Sequence, residues 1–403
     1  QETATSFVAN TTLTAPNPEI SFFSDGSIPV DAKEVAIFTF NTFHLSPNVQ
    51  MEVGLRWTDY DRFRAGEINF GDINTLPSAL EPIRGVVADG IAASFPILAV
   101  SAENETSKED AVTGSLTMRW DMTDNRSIYA SYNRGYRPGG ISIVPDPDIA
   151  FLPNGEDDLI HSEEESDSIE LGFKSRLMDG RATLNGAIYY QKFDGYLGFT
   201  RGVQVLNDVG TPVDLSGGII YNGDAVVFGA ELEGQILLTE NWNAGGSFSY
   251  AKGEWDGAEK PCNDREAGEV LGMCDIDGEP IGGEPEFSIS LNSEYFWQLA
   301  STEVYLRGLY KWSDERLNTE ASAGIGGVAE KFDAYDTLNF YAGLRSSDFT
   351  WDVSLWVKNA LDDDTINFQQ GPDQYDTAVT GGSYTQVNTV QERTFGLTAR
   401  YNF

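Results

Sequence analysis

Only two cysteines and two histidines occur among the 403 residues, and cations are scarce: 26 Lys and Arg stand against 63 Asp and Glu, a net charge of −37. A field of that sign repels polyanions, which argues against nucleic acid as a partner. Cys262 and Cys274 have no neighbouring histidine, and His44 and His161 lie far off in sequence, so no zinc set is present. Neither histidine accompanies a nucleophile elbow, and no carboxylate pair is marked out for acid–base work, so an enzyme is not expected. A signal peptide is also missing, which reads as a mature form or a fragment. No uncharged apolar run reaches the roughly 18 to 20 residues of a membrane helix. The best, Gly90 to Val100, is broken by Pro96. Mean hydropathy is −0.30, but a transmembrane barrel hides its lipid face in alternate residues and averages out.

What the chain does have is Gly 41, Tyr 17, Phe 23 and Trp 8, a composition suited to repeated antiparallel hairpins. Alternation of apolar and polar residues recurs along it. Met51, Val53, Leu55 and Trp57 alternate with Glu52, Gly54 and Arg56, and Phe349, Trp351, Val353, Leu355 and Val357 with Thr350, Asp352, Ser354 and Lys358. The pattern predicts thirteen strands, near 33–44, 50–63, 112–121, 126–137, 167–177, 181–199, 221–238, 242–256, 285–297, 302–315, 334–346, 349–361 and 391–403, with a fourteenth before residue 11. Leu338, Phe340, Val353, Leu355, Leu397 and Ala399 fall on the apolar face, and Arg307, Asp352 and Arg400 on the polar one.

Connections alternate between short turns, such as Ser46-Pro47-Asn48 and Thr239-Glu240-Asn241, and long segments near 64–111, 139–166, 200–220, 257–284, 316–333 and 362–391. Short turns on one rim and long loops on the other describe an all-β, antiparallel transmembrane barrel with periplasmic turns and extracellular loops. A soluble sandwich or propeller is the competing fold, but no blade-length repeat occurs. Tyr295, Phe296, Trp297 and Trp312 fall near strand ends, where an aromatic girdle is expected.

Several phrases resemble those of the TonB-dependent outer-membrane receptors. They are Val53-Gly54-Leu55-Arg56-Trp57-Thr58, Ile128 through Gly140, the hairpin Glu170-Leu171-Gly172-Phe173-Lys174-Ser175 with Asp179-Gly180-Arg181, Gly229 through Gly234, and Val357-Lys358-Asn359-Ala360-Leu361-Asp362. The aromatic Phe403 resembles the C-terminal assembly signal of such barrels. The resemblance implies a bacterial outer-membrane receptor that takes up an iron chelate, vitamin or oligosaccharide, driven by TonB; a passive channel or surface-adhesion barrel without a plug is the alternative. Family barrels have about 22 strands around a plug. Residues 1–403 therefore read as the C-terminal portion of the barrel domain, with 13 to 14 strands and without the plug through which TonB would act. Outer-membrane lipid and lipopolysaccharide are the other expected partners.

Candidate ligand contacts in the extracellular segments are Tyr136, Arg134, Arg137, Trp255 and Tyr375, against the simpler readings of loop packing and strand-end charge pairing. Cys262 and Cys274 suit a loop disulfide in an oxidising compartment. No cofactor is expected. Asp362, Asp363 and Asp364 are weak Ca²⁺ candidates, but their spacing lacks an EF-hand pattern and solvated loop charge is the competing reading. Glu231 and Glu233 share one strand face and are expected to line the lumen.

Overall fold

The computed structural model describes residues 2–13, 20–64, 67–75, 82, 84, 107–141, 160–200, 204–206, 212–214, 219–262, 273–318, 330–370 and 386–402. Fourteen strands form one antiparallel meander in which each pairs with the next: β1 Glu2–Leu13, β2 Ile20–Ser46, β3 Val49–Arg64, β4 Ser107–Thr123, β5 Arg126–Arg137, β6 Glu164–Leu177, β7 Ala182–Thr200, β8 Ile219–Thr239, β9 Trp242–Trp255, β10 Phe287–Leu299, β11 Thr302–Ser313, β12 Tyr335–Ser346, β13 Trp351–Lys358 and β14 Thr394–Tyr401. Among the described residues β1 pairs only with β2 and β14 only with β13. Among the described residues no helix is long and apolar enough to cross a membrane, which says nothing of crossing by strands.

Local chemistry sets the short turns. The hydroxyl of Ser46, Thr123 or Thr239 accepts the backbone N–H two residues on, from Asn48, Asn125 or Asn241, at 3.4, 3.3 and 3.2 Å. Such a hydroxyl turn substitutes a side chain for the next ladder bond and reverses the strand. In the turn between Ser346 and Trp351, Asp348 plays that part, accepting the N–H of Thr350 at 3.2 Å. The hydroxyls of Ser346 and Thr350 hold its carboxyl down at about 2.

The long connections differ from plain loops. Among the described residues, five begin as two-stranded ribbons beyond the main sheet, for example Glu259–Pro261 with Met273–Asp275 and Ile366–Gln370 with Gln386–Thr389. The expected loop at 64–111 contains a strand, Glu67–Thr75, that pairs with Ser21–Ser27 of β2 and so continues the line of β3. This lengthens β2 to 27 residues against the shorter segment expected. Backbone pairing supplies the reason: a strand that outruns its partner leaves N–H and C=O groups open, and the returning chain fills them.

Register turns alternation into two faces, because residues directly opposite in neighbouring strands share a side. Tyr295, Leu306, Ala342, Leu355 and Leu397 form one cross-strand row; Glu294, Arg307, Tyr341, Trp356 and Gly396 form the adjacent row on the other side. Leu306, Leu355 and Leu397 are 51, 61 and 64 % exposed. Large apolar side chains left open over a whole sheet face need a solvent of hydrocarbon, not a shared protein core. Phe296 departs from the girdle reading: it pairs with Tyr305 on the polar face and its ring lies 5.9 Å from the Arg345 guanidinium.

Candidate functional site

The polar face holds an ion network made by three strands. Arg307 on β11 reaches Glu294 on β10 at 2.5 Å, Arg345 on β12 reaches Glu294 at 3.1 Å, and Arg345 also grips Glu303 on β11. The Tyr305 ring packs 5.0 Å from the same guanidinium. Next to the network is a cavity of about 470 Å³ lined by Arg307, Tyr341, Trp356, Lys358 and Arg400 among others. Lys358 lies 5.0 Å over the Trp356 ring, and Trp356 Nε1 donates to Thr398 Oγ1 at 3.0 Å. Around β5 to β8 the same face turns acidic. Tyr129 Oη donates to Glu170 at 2.6 Å and Asn185 Nδ2 to Glu233 at 2.8 Å.

Rings on this face lie flat across glycines of the next strand. A Cβ at Gly396 would fall inside the Trp356 ring, and one at Gly343 inside that of Tyr305. Glycine is the residue that lets an aromatic side chain lie against a strand backbone. Gly396→Ala is expected to displace Trp356 and cost about 1 to 3 kcal/mol by overpacking. A lower midpoint for loss of the heat-sensitive folded band checks it, and Trp356→Leu in the same chain should restore that midpoint.

At the loop rim the candidate residues divide. Arg134 is held by Glu165 at 2.5 Å and Asp167 at 3.4 Å, and Arg137 lies 3.8 Å from Glu164. Their charge is matched by carboxylates of the adjoining strand. Tyr136 Oη donates to Glu109, which also accepts the Gly139 N–H at 3.2 Å. Trp255 is 6 % exposed and packs with Ala225, Ala258 and Ile276, with Tyr196 and Tyr221 rings at 5.5 Å. It anchors a small core under the loop and presents almost no surface to a ligand. Tyr375 lies outside the described residues.

Cys262 and Cys274 are bonded, with Cα atoms 5.1 Å apart, at the ribbon Glu259–Pro261 with Met273–Asp275 that continues from Ala258 and Ile276 of this core. Cys262→Ser is expected to speed proteolysis within residues 256–284 while leaving the melting of the sheet unchanged. Closing a loop this short constrains only local chain, by about 3 kcal/mol of loop entropy. Asp362 pairs with Arg393 at 3.0 Å. Asp363 accepts the N–H of Thr365 at 2.9 Å and of Asp336 at 3.0 Å. Burial pushes the Asp363 carboxyl up, but these donors outweigh it and hold it below its ordinary value. Two of the three candidate Ca²⁺ ligands thus already organise the loop, and no group of three or more metal-binding side chains occurs among the described residues.

The family described as "TonB dependent receptor-like, beta-barrel" matches residues 3–360. The chain belongs to the TonB-dependent receptors. A relative, the probable TonB-dependent siderophore receptor PiuA of Acinetobacter baumannii, is 23 % identical over 263 residues, 65 % of this chain and 29 % of that protein. Two solved structures share the fold. The ferric yersiniabactin uptake receptor FyuA of Yersinia pestis superimposes with a TM-score of 0.60 at 16 % identity, over 96 % of this chain and 49 % of that one. The ferric-catecholate import receptor Fiu of E. coli K12 gives 0.58 at 14 % identity, over 100 % and 54 %. This chain therefore spans about half the length of those solved receptors. As a TonB-dependent receptor barrel it belongs to the bacterial outer membrane, with the apolar face toward lipid and the polar face toward the lumen.

Neither the ion network nor Glu109 was evident from the sequence. Arg345 and Glu294 are 51 residues apart, and only the strand register brings them together. A search for opposite charges at equivalent positions of successive polar faces could have found them.

Proposed function

We propose that this receptor barrel imports a ferric chelate across the outer membrane, driven by TonB. The supporting observation is the family match over residues 3–360 together with siderophore and ferric-chelate uptake in the names of its relatives. In this reading the chain supplies wall and extracellular loops, and is a transporter with no catalytic step. The fourteen strands form the C-terminal portion of a larger wall. Supporting that, the outer edges of β1 and β14 are unpaired among the described residues, and open edges in hydrocarbon cost several kcal/mol per unsatisfied group, by an estimate of about that size. TonB acts on a plug inside this wall, and lipopolysaccharide surrounds its outer rim.

Uptake of radiolabelled iron chelates by cells carrying or lacking the intact gene tests the reading. The expected result is accumulation of one chelate class that needs the gene and stops when a protonophore collapses the inner-membrane gradient. Uptake that survives the protonophore, with unrelated solutes entering at the same rate, would establish the passive channel instead.

A further inference from the structure

Three long segments on the loop rim connect β9 to β10, β11 to β12 and β13 to β14, at 256–286, 314–334 and 359–393. Each carries one short ribbon: Glu259–Pro261 with Met273–Asp275, Arg316–Asn318 with Glu330–Phe332, and Ile366–Gln370 with Gln386–Thr389. A two-stranded ribbon of this length is marginal in isolation, so left alone the three segments would swing independently at their bases.

Arg316 is the side chain at which they meet. It opens the middle ribbon, and its guanidinium lies 4.7 Å from the ring of Phe332, its partner across that ribbon. Nη1 donates to the Gly283 carbonyl of the first segment at 3.2 Å, and Nη2 donates to the Asn367 carbonyl of the third. Arginine suits the place, because a planar fork of fixed donors can stack on a ring and address two carbonyls at once.

Each acceptor segment is itself fastened to the sheet. The first returns along β9, where the Trp255 N–H donates to the Glu279 carbonyl at 2.9 Å and the Ile281 N–H to the Gly253 carbonyl at 3.2 Å. The third is closed at its base by Asn359, 4 % exposed, whose Nδ2 donates to the carbonyls of Asp363 at 2.7 Å and Gln391 at 2.8 Å. Lys331, by contrast, keeps its ion pair inside the middle segment, with Glu315 at 2.6 Å.

We infer that Arg316 is a positioning residue that locks these three extracellular segments into one unit, so that they present a single surface to a ligand and move together. A ligand that touches one segment then meets two others already ordered, which lowers the entropy cost of binding. The coupling follows from the contacts; that the surface receives a ferric chelate rests on the function proposed above.

Hydrogen exchange of the intact receptor in detergent, without ligand, reads the coupling directly. Arg316→Met keeps most of the stem and removes the donors, and amides at 279–284, 330–332 and 366–370 should all exchange several-fold faster while those of β10 to β13 keep their rates. Arg316→Lys retains the charge without the fork and should show the same pattern at smaller size. Lys331→Met should speed exchange only within 314–334. Heat-sensitive electrophoretic migration confirms that each variant is folded. In cells, with the same radiolabelled iron chelates as probes, Arg316→Met should raise the half-saturation concentration several-fold at a near-normal maximum rate, whereas Lys331→Met leaves both unchanged. Faster exchange confined to 314–334 in both Arg316 variants, an equal spread from Lys331→Met, or an unchanged half-saturation alongside loosened segments would each overturn the proposal. If wild-type cells import none of the chelates, the ferric-chelate reading fails and the exchange pattern alone decides the coupling.

Discussion

Leu355→Arg is expected to stop most of the protein from reaching the folded, outer-membrane form, whereas Thr398→Arg, in the neighbouring strand but on the other face, should assemble nearly as well as wild type. Leu355 is 61 % exposed, between Ala342 and Leu397 in the lipid-facing row. A guanidinium near the bilayer midplane costs about 2 to 4 kcal/mol, a large fraction of a marginal stability. Thr398 projects into the lumen, where a charge meets water and the Trp356 hydrogen bond is the main loss. Ser354 would be a poor control despite its polar position, because it is only 6 % exposed. The fraction of heat-sensitive folded protein in isolated outer membranes decides the matter. Equal assembly of both variants, or failure of Thr398→Arg alone, would reverse the assignment of the two faces.

That assignment was largely legible in the sequence, since alternation over eight to fourteen residues specifies which side chains share a face without needing to know the neighbours. Leu355 and Arg400 fall where the period places them. The strand before residue 11 was only weakly marked and its partner stretch, Ile20–Asp31, was not expected as strand, whereas the short hydroxyl turns were equally readable, because turn chemistry is local. Trp255 was not. Period two says nothing once a ribbon leaves the sheet, and whether its ring faces a ligand or packs under a disulfide-closed loop depends on Tyr196, Tyr221 and Ile276, contacts set by tertiary folding. The strand at Glu67–Thr75 was hidden for a related reason: its role follows from the overhang of β2, a feature of the pair and not of either segment. Arg134 and Arg137 lay between two readings, and the carboxylates of β6 that meet them favour structural pairing over an open anion site.

Arg345→Ala should lower the stability of the folded barrel by about 3 to 5 kcal/mol, the usual effect of removing one member of a buried ion cluster. The Arg345 side chain is 17 % exposed and lies between Glu294 and Glu303, which are 11 and 10 % exposed. Its removal leaves Glu303 without its cation and Glu294 with Arg307 alone, on neighbouring strands inside the wall. Arg345→Lys keeps the charge but not the planar fork that addresses two carboxylates at once, so an intermediate loss is expected. Adding Glu303→Gln to Arg345→Ala should recover part of the loss, because the second change removes an unpaired carboxylate, although Glu303→Gln alone destabilises. Urea unfolding of the reconstituted protein, followed by tryptophan fluorescence, measures all four variants as a double-mutant cycle. Strict additivity would mean that the two side chains do not share energy, and the network would then be a set of separate contacts that merely line the lumen. A coupling above about 1 kcal/mol makes it instead a clamp across β10, β11 and β12, holding that stretch of wall rigid beside the aromatic cavity.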